Sequence, residues 1–353
     1  MEGENINALI NQVKHSEGDS FVCDEQAIVE EYEAISENSS LVIKVFTVLG
    51  VLIGVVAFMV FLFVAGIYES SFGLLTFGGI SLVIGISLNK VKAGDFKLDS
   101  ISVTAYLVGI LLSVIGLGIM NVDENLIVLL VVFVALISLF ITQRFTISFI
   151  SILLLNGGIV ILMFENEAFN LLSVYVAFNC LFFTFWLLNE AKLITYTSMI
   201  ARLYTPVRAG MLGSFIGLLT LMSFSDALDL PINNIWMASA ANVPVVLFIL
   251  PRILRLLNVQ RKASYIMVFV LVILVLLPTT LFSPSISGAL VVLFLCFLVN
   301  YRAGIGLGIL SLVGFIGQFY YDLYATLLTK SIILFCVGVL FLLTYLFTYK
   351  KLK

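Results

Sequence analysis

Histidine is almost missing from this chain: His15 is the single one in 353 residues. That excludes His-dependent intramembrane serine proteases and HExxH metalloproteases, and it argues against any enzyme needing a histidine base within its body. Charge is also scarce. Only 11% of residues are charged, whereas a soluble domain has about a quarter. There is no GxSxG, no Walker loop and no dinucleotide glycine fingerprint. The dipeptide Tyr321–Asp322 matches half of an intramembrane aspartyl protease signature, but the second half, a GxGD aspartate, is absent. The cysteines are Cys23, Cys180, Cys296 and Cys336. They lack metal-ligand spacing and an evident disulfide partner, so they read as small apolar side chains. A cleavable signal peptide is not expected, because the first forty residues lack a basic start and a short apolar core. These absences point to no enzyme, no cofactor, no metal site and no nucleic-acid partner.

What the chain has in abundance is apolar sequence. Hydrophobic residues make up 61%, and mean hydropathy is +1.18. Too little polar surface remains to cover such a core in water, so lipid must be the solvent for most of the chain. A crossing helix needs roughly 20 apolar residues, and nothing alternates with period two as a barrel would. The expected fold is an all-α polytopic transmembrane bundle of twelve spans. They lie near 45–67, 72–88, 100–120, 125–142, 145–163, 168–188, 205–224, 234–250, 264–282, 285–300, 303–321 and 326–348. The stretch from Asn189 to Pro206 is read as a central connection between two six-span halves.

Charge supplies a second reading of the topology. With twelve spans and a cytoplasmic N-terminus, every lysine and arginine except Lys330 falls on one side. The other side receives Glu69, Asp123, Glu124, Glu165, Glu167, Asp226, Asp229 and Asp322. Such a bias places both termini in the cytoplasm. Residues 1–40 are acidic, with apolar positions at helical spacing, and are expected to form a cytoplasmic helical hairpin ahead of the bundle at 41–353. The span beginning near Leu41 is expected to act as the insertion signal.

Polar residues inside apolar spans are the remaining leads. Asn156, Asn179, Asn242, Asn300 and Gln318 are candidates for an intramembrane polar path. The same residues also suit hydrogen bonding between helices. The span with Asn242 and Pro244 is the expected site of an interrupted helix, since Pro244 has no N–H to donate. Gly304 and Gly308 form a small-xxx-small pair and a candidate helix-packing seam. Lys330 sits inside the start of the last span, where it opposes the helix dipole. Asp322 is its candidate partner in an outer-face pair.

Phe319, Tyr320 and Tyr321, then Leu327, Leu328, Lys330 and Ser331, form an FYY motif and an LLxKS step before the final apolar span. This pattern resembles a family of bacterial membrane proteins known only as a domain of unknown function. Members occur especially in Bacteroidota, often encoded beside a protein named for a Gly-Asp-Tyr-x-x-Leu-x-Tyr motif. The resemblance implies an inner-membrane location and a membrane protein of the same operon as partner, alongside the lipid bilayer. Three functions stay open: a transporter or channel-like protein for a neutral or lipid-like solute, a non-enzymatic scaffold of a membrane complex, and a membrane-embedded lipid-modifying enzyme.

Overall fold

The computed structural model describes residues 41–66, 70–91, 96–142, 144–256 and 283–322, with separate positions at 269, 270, 272, 273, 276, 335, 339 and 342. Every regular element among them is a helix, and there are eleven. They are α1 (Leu41–Val64), α2 (Ser71–Val91), α3 (Phe96–Ile119), α4 (Glu124–Thr142), α5 (Phe145–Glu165), α6 (Phe169–Leu188), α7 (Glu190–Tyr196), α8 (Ser198–Ser223), α9 (Trp236–Leu256), α10 (Pro284–Leu298) and α11 (Arg302–Asp322). Eight of these helices are long and apolar enough to cross a membrane. In lipid each helix closes its own backbone hydrogen bonds, which is why apolar sequence of this length becomes helix. The expected spans at 264–282 and 326–348, and the hairpin at 1–40, lie outside the described residues, apart from the separate positions above.

Short turns join several helices, and three of them share one device. Asn121, Glu167 and Asn300 have φ of 54°, 53° and 57°. At each, two backbone bonds close the end of the preceding helix. After α10, for example, Tyr301 N donates to Cys296 O (2.8 Å) and Asn300 N to Phe297 O (3.2 Å). This is the Schellman arrangement, which satisfies carbonyls that the helix end leaves open.

Two expectations are corrected. The stretch Asn189 to Pro206, read as a connection between spans, is mostly helix. It contains α7, and α8 starts at Ser198, with Thr197 Oγ1 accepting from Ile200 N at 3.3 Å as the N-cap. Pro206 therefore lies inside a helix. The helix carrying Asn242 is not interrupted: α9 runs unbroken from Trp236 to Leu256 through Pro244 and Pro251. A proline removes one donor, and packing against neighbouring helices is enough to hold the turn.

The chain divides into two compact units, Met1–Asp123 and Glu124–Lys353. In the first, α2 and α3 meet backbone to backbone. A Cβ on Gly85 would lie 2.8 Å from Tyr106 N, and one on Gly109 would lie 2.7 Å from Leu82 N. Ser102 Oγ donates to Gly85 O across this seam (2.5 Å). Val55 and Leu62 of α1 complete a small core with Leu74, Val108 and Leu112.

In the second unit, one large core joins α5, α6, α8, α9, α10 and α11. The contacts fix which helix ends lie together. Asn166 Nδ2 donates to Asn125 Oδ1 (2.7 Å), Asn233 N to Asn170 Oδ1 (2.9 Å) and Ser285 Oγ to Leu219 O (2.7 Å). The starts of α4, α6, α9 and α10 therefore share an end with the finish of α5 and α8. Glu124, Glu165, Glu167, Asp226 and Asp229 belong to that end. The opposite end carries Arg144, Lys192, Arg202, Arg208, Arg252, Arg255 and Arg302, with Glu190.

Candidate functional site

The candidate polar path does not form a line. Asn156 stands eleven residues past Phe145 in α5 and Asn179 ten past Phe169 in α6, so both are about 15 Å from their helix starts, at mid-depth. Tyr175 joins them. Its hydroxyl donates to Asn156 Oδ1 (2.6 Å), and its carbonyl accepts from Asn179 Nδ2 (3.0 Å). Asn156 Nδ2 donates to Ile152 O at 2.9 Å and reaches Met211 Sδ of α8 at 3.9 Å. Asn156 and Tyr175 thus knit α5, α6 and α8, while Asn179 bonds within α6.

Asn242 belongs to a separate nest at the acidic end. Its Nδ2 donates to Pro284 O (3.2 Å) and Ser287 Oγ (3.3 Å), and Ser287 Oγ donates to Pro284 O (2.8 Å). Pro284 at the first turn of α10 suits that position, where its missing donor costs nothing. Asn300 is not inside a span. It is the left-handed, exposed residue of the α10–α11 turn, a role asparagine fills because its side chain tolerates that conformation. Gln318 is half-buried on α11.

Gly304 and Gly308 face α10 of the same chain. A Cβ on Gly308 would come within 3.1 Å of Leu293 Cα, and one on Gly304 would strike Cys296 Sγ and the Tyr301 ring. The Asp322 side chain and Lys330 lie outside the described residues.

The arrangement that sequence reading missed is at the basic end. Arg208 counted as one more cation of that side, at the start of the expected span 205–224. The structure puts it inside α8, ten residues past Ser198, with its side chain only 19% exposed. Its guanidinium carbon lies 4.3 Å from the centroid of the Tyr301 ring and 5.4 Å from that of Tyr204. Its ion pair to Glu190, Nη1 to Oε1, is 3.8 Å long, beyond hydrogen-bond length. Trp186 stacks on Tyr204 at 6.0 Å, and Trp186 Nε1 donates to Tyr204 O (3.3 Å). Phe182 continues the stack at 5.7 Å from Trp186. Two polar atoms of this group, Arg208 Nε and the Tyr204 hydroxyl, are buried and make no hydrogen bond of ordinary geometry, although Glu190 and Arg208 lie close to the hydroxyl. The signal available in sequence was the helix-compatible run from Ser198 through Pro206. Pro206 hid it by reading as a boundary.

A charged side chain inside a span marks a functional site by default. The Arg208 recess combines a fixed cation, π faces and unsatisfied donors. Such a set can hold an anion or staple helices.

No curated protein and no solved structure matches the chain. One family model does, over residues 40–351, covering the described helices of both units. It also takes in the FYY and LLxKS segment that carried the resemblance, so the chain belongs to the family described as a domain of unknown function, DUF4401.

Proposed function

We propose that this chain is a twelve-span protein of a bacterial inner membrane, with both termini cytoplasmic, serving as a non-enzymatic scaffold or assembly subunit of a membrane complex. Clustering of arginine and lysine at one end of the second unit supports a cytoplasmic assignment for that end. One observation carries the scaffold reading. The asparagines that could have lined a solute path are 8%, 2% and 0% exposed at Asn156, Asn179 and Asn242; the Asn156 and Asn179 donors close on carbonyls of their own helices, while Asn156 Oδ1 accepts from Tyr175 of α6 and Asn242 donates to Pro284 O of α10. Polar groups placed this way hold a bundle in register.

A second reading, transport of a lipid-like solute, is favoured by Arg208 within its span. Isolation in mild detergent and reconstitution separate the two. The scaffold reading expects a membrane partner at fixed stoichiometry whose deletion lowers the level of this chain. If the chain instead purifies alone and moves a lipid or neutral solute across liposome bilayers, transport replaces it.

A further inference from the structure

We propose that the Arg208 recess binds a phosphate-bearing anion, seated between the Arg208 guanidinium and the Tyr204 hydroxyl. The inference is independent of the scaffold reading. Tyr301 and Tyr204 lie over the guanidinium at 4.3 and 5.4 Å. Ring contacts of this kind occupy the flat face of an arginine and leave its edge free to donate.

On that edge, Nε is buried and has no partner; the Tyr204 hydroxyl is also buried and makes no hydrogen bond of ordinary geometry, with Glu190 and Arg208 as its polar neighbours. Buried donors without acceptors are rare in native proteins and mark the place of a missing group. Glu190 does not supply it. Its Oε1 stays 3.8 Å from Arg208 Nη1 and the side chain is 37% exposed, so it balances the guanidinium's charge without closing a hydrogen bond to it, and it competes with an anion for the Tyr204 hydroxyl, beside which it lies. An anion with several acceptor oxygens fits better, because it can take the arginine fork and a hydroxyl together.

Location narrows the chemistry. The recess lies at the basic end, with Arg202, Arg252, Arg255 and Arg302 belonging to the same end. That field favours anions. At a membrane interface the abundant anion is a phosphodiester headgroup, and free phosphate in the adjoining water shares its chemistry. The Trp186–Tyr204 stack, pinned by Trp186 Nε1, would hold the hydroxyl in place while the ligand exchanges.

Trp186 is also the reporter. The chain has two tryptophans, so W236F isolates its signal. The full chain in detergent is titrated with dihexanoyl phosphatidylglycerol, with inorganic phosphate, and with uncharged dihexanoylglycerol. A saturable change in Trp186 fluorescence is expected with at least one of the two anions and not with the neutral lipid. Response to the lipid alone assigns a headgroup; response to inorganic phosphate shows that a free phosphate suffices.

Y204F keeps the ring and stack but should weaken binding roughly tenfold, the usual effect of removing one hydrogen bond to a charged group. R208K should weaken it further by losing the fork, and Glu190→Gln should tighten it. The proposal is overturned if neither anion gives a saturable change, or if Y204F binds as tightly as its parent. It is also overturned if Glu190→Gln binds more weakly, as a purely structural staple would. Should R208K fail to fold, Y204F and Glu190→Gln decide the matter.

Discussion

Alanine at Gly85 is expected to pry α2 from α3, whereas alanine at Gly79, on the same helix, should not. The Gly85 Cβ would sit 2.8 Å from Tyr106 N, 2.9 Å from Ser102 O and 3.1 Å from Tyr106 Cα, against an ordinary contact of 3.4–4 Å. All three neighbours are backbone, so no side chain can rotate away. The helices must separate by about half an ångström, an overpacking that costs about 1–3 kcal/mol. Separation also strains the Ser102 Oγ to Gly85 O bond, adding about 0.6 kcal/mol on the scale of membrane hydrogen bonds. Gly79 has nothing within 4 Å of its Cβ. Alanine there only relieves the helix penalty of glycine, up to about 1 kcal/mol. The two variants should thus differ by about 2–4 kcal/mol, at least thirtyfold in an unfolding equilibrium. Detergent-driven unfolding of the purified chain in bicelles measures this directly. Equal midpoints for Gly85→Ala and Gly79→Ala would refute the close backbone contact. A parallel Gly109→Ala, placed 2.7 Å from Leu82 N, should behave as Gly85→Ala does.

Three further outcomes follow from other contacts. Tyr175→Phe strands Asn156 Oδ1 at mid-depth and should lower stability by about 1 kcal/mol, read by the same unfolding assay; no change would mean the asparagine finds another donor. Gly308→Leu, whose Cβ would come within 3.1 Å of Leu293 Cα, should destabilise the α10–α11 pair, while Gly306→Leu, with nothing within 4 Å, should not. Single cysteines at Glu167 and Lys192, in a background lacking Cys23 and Cys336, should react with an impermeant maleimide from opposite sides of the membrane. Cys180 and Cys296 are 0% exposed and should stay silent; labelling of both reporters from one side would overturn the arrangement of helix ends in the second unit.

Hydropathy alone determined that this chain is helical and made for lipid. An apolar run of twenty residues has one economical solution in a bilayer, and no distant contact is needed to find it. Charge added the sorting of ends: the helix ends that meet in the second unit carry the signs their loops suggested, because each short turn reverses direction. The short links also announced their turns, although only the backbone showed that Asn300 is a left-handed cap rather than a polar group within a span.

Side-chain partnership was the province of the tertiary structure. Nothing near Asn121–Asp123 marks a division between units, since that link reads like its neighbours. The glycines at 78, 85 and 109 look no different in sequence from those at 79 and 118. Which of them touches another backbone depends on rotation about the helix axis, which periodicity cannot set when every face is apolar. Arg208 makes the same point for function. Its charge was visible, but the recess requires residues from α6, α7, α8 and the α10–α11 turn to meet. Contacts so far apart in the chain arise only when the helices pack.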